Sequence, residues 1–197
     1  MELSHVVSDV VLTLVGLFVF FRYLYKLELA PCLLWEAFIL SITGAAFFGA
    51  IRFAGYPQSN IISEFFQHLA GTVGAFCLVF VSFFLVLKRP IPINLAYVVV
   101  ASGFVAFGIV KFTDNLNILS VILTIAIPLV LLIGIWALFS GSRSVGAWLI
   151  LGVIALVMGT YNKSFMPNTI LDPTDTYHYL LAVSVFCLGR AARHQVY

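Results

Sequence analysis

Seven apolar stretches divide this chain, separated by short connectors rather than by polar domains. They fall at about 5–25, 32–54, 62–87, 93–112, 117–139, 145–161 and 176–193. Each is near the roughly 17–25 residues that a helix needs to cross a bilayer. The connectors carry turn chemistry: Leu29-Ala30-Pro31, Gly55-Tyr56-Pro57, Arg89-Pro90-Ile91-Pro92, Asp114-Asn115 and Gly141-Ser142-Arg143. The longest connector runs from Asn162 to Thr174 and contains Pro167, Asn168, Asp172 and Pro173. None could hold a soluble domain, so residues 1–197 read as a single transmembrane domain. Pro128 falls inside the fifth stretch and predicts a kink there. Small residues four apart, at Ala45/Gly49, Ala70/Gly74, Gly71/Ala75 and Ala155/Gly159, permit close helix approach.

Polar side chains break the apolar pattern in three places. His5, Ser8 and Asp9 open the first stretch, Glu64, Gln67 and His68 the third, and Asp175 and His178 the last. Within each set the members lie three or four residues apart or adjoin, which gathers them on one helix face. Three of the four histidines are in these sets, each about one turn from a carboxylate.

Composition supports the membrane reading. The chain is 62% hydrophobic and 9% charged, against roughly a quarter charged in a soluble domain. It therefore reads as an all-α integral membrane protein, a seven-transmembrane helix bundle whose first partner is the lipid bilayer. The net charge is +2, and no basic run points to nucleic acid. The N-terminal segment lacks the positive region and small-residue cleavage site of a signal peptide, so it is expected to remain as a span. Cys32, Cys77 and Cys187 have no CxxC spacing and read as packing residues.

Basic residues orient the bundle. With seven spans, the side holding the N-terminus has Arg52, Lys111 and Lys163. The other side has Arg22, Lys26, Lys88, Arg89, Arg143, Arg190 and Arg193. The positive-inside rule then puts the N-terminus outside and the C-terminus in the cytoplasm. Asp9 precedes Arg22 by about 20 Å of helix, and His178 precedes Arg190 by about 18 Å, against a hydrocarbon core of about 30 Å. A short Asp cannot snorkel as Arg does, so these polar sets are expected in the outer third of the bundle.

Three chemistries fit such a site. Acids in a first helical turn have a simple explanation, because the helix dipole favours them there. A protonated histidine gains nothing from that position, and three His–carboxylate pairs on one side ask for more. A metal centre would use His5, His68 and His178 as ligands, with Zn as the expected metal. Asp9, Glu64 and Asp175 would orient the imidazoles or act as general base, and Arg52 would bind a substrate oxygen. A proton relay would need to continue inward, where Glu36 is the only acid in the inner half of a span. The remaining choice is a non-enzymatic protein, serving small-solute binding, transport or a structural role, whose polar cluster holds helix ends together. Arg52 between Asp9 and Glu64 would suit that role. A retinal photoreceptor is excluded by the lack of lysine in 176–193.

The placement of polar groups at the end of span two, the start of span three and on span seven resembles the CREST superfamily. That group contains alkaline ceramidases and adiponectin-receptor-like proteins. Span two ends Gly49-Ala50-Ile51-Arg52-Phe53, span three carries Glu64 and His68, and span seven carries His178 with Ala182 four residues on. The resemblance implies a seven-helix membrane hydrolase with a buried Zn²⁺ acting on a lipid-like small molecule. Its Ser and His of span two, single Asp of span three and paired His of span seven are met here by Arg52, by Glu64 and His68, and by His178 alone. The zinc ligands would then be His5, His68 and His178. The chain also resembles small uncharacterised bacterial membrane proteins with Asp-x-x-His opening the last helix, which implies the bacterial inner membrane as its location.

Overall fold

Apolar backbone in a bilayer has no water to bond, so it must satisfy its own N–H and C=O groups. Helices do this within one segment, and helices are what form here. The computed structural model describes residues 3–113, 115–165 and 172–195, and among them no strand occurs. Seven helices follow one another: α1 Leu3–Leu24, α2 Leu29–Phe53, α3 Pro57–Leu87, α4 Ile93–Thr113, α5 Leu116–Phe139, α6 Arg143–Phe165 and α7 Pro173–Ala192. Their limits lie close to those read from the pattern of apolar residues, the start of α3 differing most, at Pro57 rather than 62. The first six are long and apolar enough to cross a membrane. The seventh has 20 residues, but Asp175, His178 and Arg190 dilute its apolar surface. Asp114 and most of the connector between α6 and α7 lie outside the described residues, as does the Lys163 side chain.

Helix ends follow local chemistry. Asn115 caps α5 by accepting a bond from the Asn117 N–H at 3.0 Å. Asp172 caps α7 by accepting from the Thr174 N–H at 2.7 Å, with Pro173 at the first helical position. The C-terminal end of α3 closes with Arg89 N–H donating to Phe84 O and Lys88 N–H to Leu85 O. This Schellman closure places Lys88 at φ 53°, where glycine is the usual residue. Pro128 lies inside α5, which stays helical on both sides of it. Among the described residues, Phe20–Leu24 at the end of α1 and Ala70–Gly74 within α3 are five-residue π-helical segments.

One apolar cluster draws side chains from all seven helices, with Trp35, Leu34, Ile39, Leu149 and Leu188 almost wholly enclosed. α3 is the most buried of the six apolar helices, and α4 and α5 are the most exposed. Glycines allow several of the contacts. A Cβ on Gly74 would come within 3.0 Å of the Phe38 backbone of α2, so these helices touch nearly backbone to backbone. The Gly189 position of α7 has no room for a Cβ beside Val19 of α1. Since the starts of α1 and α7 are also bonded (His5 and Ser8 to Asp175), these two helices run side by side in the same direction. They remain neighbours from the first turns of each to near their ends.

Candidate functional site

Two of the three polar sets meet. The first turns of α1 supply His5, Ser8 and Asp9, and the first turns of α7 supply Asp175 and His178. Ser8, Asp9 and Asp175 are at most 3% exposed, and the two imidazoles are largely covered. His5 Nδ1 lies 2.7 Å from Asp175 Oδ1. Ser8 Oγ lies 2.8 Å from the same oxygen and 3.2 Å from His178 Nδ1. His178 Nδ1 is also 3.1 Å from Asp9 Oδ1. Across the seam, each helix gives carboxylate to imidazole of the other.

The chemistry of the groups orders the donors. An ionised carboxylate only accepts. With both imidazoles protonated at Nδ1, His5 donates to Asp175, and His178 donates to Asp9 with Ser8 Oγ beside that bond. Ser8 then donates its single proton to Asp175. This arrangement gives each imidazole–carboxylate contact a donor, of the stronger, charge-assisted kind, while the His5 carbonyl, 3.1 Å from Ser8 Oγ, competes with Asp175 for the one hydroxyl proton.

The second helix makes room for the cluster. A Cβ on Gly49 would come within 2.5 Å of Asp9 Oδ2, so only glycine lets that carboxylate lie against α2. Thr13 Oγ1 donates to the Asp9 carbonyl at 2.8 Å, which holds the turn below it. The His5 ring packs on Phe53 with centroids 4.8 Å apart. Phe53 also meets the Arg52 guanidinium, 4.1 Å from the ring centroid.

Arg52 therefore reaches the cluster through a ring, and its polar contact is elsewhere. Arg52 Nη1 donates to Asn60 Oδ1, and Asn60 Nδ2 donates to Glu64 Oε1 at 2.6 Å. Glu64 is exposed on α3, so the expected Arg52 bridge between Asp9 and Glu64 is replaced by an Arg52–Asn60–Glu64 relay at the rim. Gln67 bonds Ser63 at 3.2 Å, and Ser63 in turn donates to the Ala45 carbonyl of α2. His68 is half-buried, and its carbonyl accepts from Thr72 at the entry to the π segment. Glu64 and Gln67 are thus linked, through Asn60 and Ser63, to Arg52 and Ala45 of α2. Among the described residues, no three or more His, Cys, Asp or Glu side chains are set to hold a metal ion. The fourth histidine, His194, lies beyond α7 with Nε2 3.2 Å from Ser144 Oγ. Burial, with Arg193 and Arg190 close by, holds His194 below the ordinary histidine value.

Sequence spacing did not reveal Gly49, Phe53 or Asn60 as parts of this region. Asn60 stands four residues before Glu64, a spacing that signals a shared face. Gly49 belonged to a small-residue pair whose partner helix could not be read.

A family model described as a family of unknown function, DUF6962, matches residues 4–197, and the chain belongs to that family. No match was found among curated proteins or among solved structures.

Proposed function

We propose that this chain is a non-enzymatic, seven-span membrane protein whose buried His–Ser–Asp cluster fastens its first helix to its last. The observation that carries this reading is the reciprocal pairing in the seam, His5 with Asp175 and His178 with Asp9, bridged by Ser8. An acyl-transfer triad needs the serine and the carboxylate on opposite nitrogens of one imidazole. Here Ser8 and Asp9 both face His178 Nδ1. Ser8 is wholly enclosed, so no substrate carbonyl reaches its Oγ. A hydrolytic zinc centre would need three ligands converging and an open position for water. Two imidazoles meet in the seam, those of His5 and His178, and among the described residues no third His, Cys, Asp or Glu is set with them to hold a metal ion.

The same contact supports a seventh span in this reading, because α7 lies along α1 in the same direction and would cross with it. With seven spans the basic-residue asymmetry places the N-terminus outside. The bundle sits in a cell membrane, with its polar seam in the outer leaflet.

The test is metal content and stability of the detergent-purified protein, prepared without chelator. The expected result is no stoichiometric zinc and, for Asp175→Asn or Asp9→Asn, destabilisation by about 2–4 kcal/mol from broken charge-assisted bonds. Stoichiometric zinc that disappears in His5→Gln and His178→Gln would instead make the cluster a metal centre.

A further inference from the structure

Far from the polar seam, the C-terminal halves of α3 and α5 enclose a lipid-facing groove of about 420 Å³. That volume is within the usual range for small-molecule sites, roughly 300–1,000 Å³. Its wall is made of apolar side chains, among them Phe80, Phe83, Leu129, Leu132, Ile133 and Trp136. Such a wall has nothing to offer a polar solute and everything to offer a hydrocarbon chain.

Charge lies just above it. Lys88 and Arg89 follow the last turn of α3, and Arg143 opens α6 after a short turn from α5; all three are exposed. The groove residues of α3 end at Phe83, five residues before Lys88. At 1.5 Å per residue the apolar wall begins about 7 Å below the charged rim. No Asp or Glu occurs between Phe65 and Thr113 or between Asn115 and Leu171. The one acid of α3, Glu64, lies at the opposite end of that helix from Lys88 and Arg89, and α6 carries no Asp or Glu, so the rim cations have no carboxylate near them on the helices that carry them. The two properties together, an apolar slot and uncompensated cations at its mouth, match one amphiphile with an anionic head.

We propose that the groove between α3 and α5 seats an acyl chain of an anionic phospholipid whose phosphate meets Lys88, Arg89 and Arg143. Juxtamembrane Lys and Arg attract anionic headgroups electrostatically. The hydrocarbon adds apolar contact along the slot, with Trp136 at the lipid interface.

Trp136 supplies the readout. Of the three tryptophans, Trp35 is wholly buried, and Trp148→Phe removes the other. That variant is reconstituted into phosphatidylcholine vesicles containing brominated-chain phosphatidylglycerol or brominated-chain phosphatidylcholine. Emission is expected to quench at a mole fraction of the glycerol lipid lower by about three- to tenfold. The triple variant Lys88→Gln, Arg89→Gln, Arg143→Gln should bring the two lipids to the same curve. Equal quenching by both lipids in the parent, or a preference that survives the triple variant, would overturn the proposal. So would selective quenching that persists when Trp136 is replaced by Phe.

Discussion

Ser8 is the smallest polar side chain of the seam and the one that touches most of it. It contacts the His5 carbonyl, the Asp175 carboxylate and the His178 ring. Ser8→Ala leaves a buried carboxylate oxygen short of a donor, and such a loss costs about 1–3 kcal/mol. Equilibrium unfolding in mild detergent should show a loss of that size, and a change below about 0.5 kcal/mol would place Ser8 outside the network. The sequence marked Ser8, His5, Asp9, Asp175 and His178 because polar residues at helical spacing stand out in apolar stretches. It could not assign their partners. Spacing fixes the face of a helix and says nothing of the neighbour which that face meets. Glu64 had the same signature, yet it bonds Asn60 at the exposed rim of α3.

Lys88 shows what an element can hide. The limits of the helices were legible because apolar runs of sufficient length allow little else in a bilayer. Their irregularities were not. Nothing in the run around Ala70–Gly74 announces a π segment, and nothing marks Lys88 as left-handed. A non-glycine residue in that conformation is strained by about 1–2 kcal/mol. Lys88→Gly is therefore expected to stabilise the end of α3 by about 1 kcal/mol while weakening the preference for phosphatidylglycerol. A melting temperature unchanged or lowered in Lys88→Gly would remove the strain from the account. α7 was legible for the opposite reason. Its cap, proline and acid at the start resemble those of a soluble helix, and its paired polar face explains why it is the least apolar of the seven.

At the scale of the molecule, the pattern of spans foretold a bundle but not the order of neighbours around it. The closure of α1 on α7 depends on side-chain shape, above all glycines at 49 and 189, which no periodicity encodes. That closure makes a whole-molecule prediction. His5→Gln and Asp175→Asn should be strongly non-additive in a double-mutant cycle, by about 1 kcal/mol or more. His68→Gln should add to either within about 0.5 kcal/mol; coupling of His68 equal to that of His5 would join the third set to the seam. The same closure sets a schedule for synthesis. Ser8 and Asp175 are 167 positions apart, and chains grow at about 5–20 residues per second. The α1 polar face is therefore made on the order of ten to thirty seconds before its partner helix exists. During that interval a carboxylate and an imidazole sit on a helix already fit for lipid, with Gly49 of α2 arriving well before Asp175. A chain stopped before residue 173 would lack Asp175 and His178, and the α1 face that carries His5, Ser8 and Asp9 would keep its contact with α2 alone.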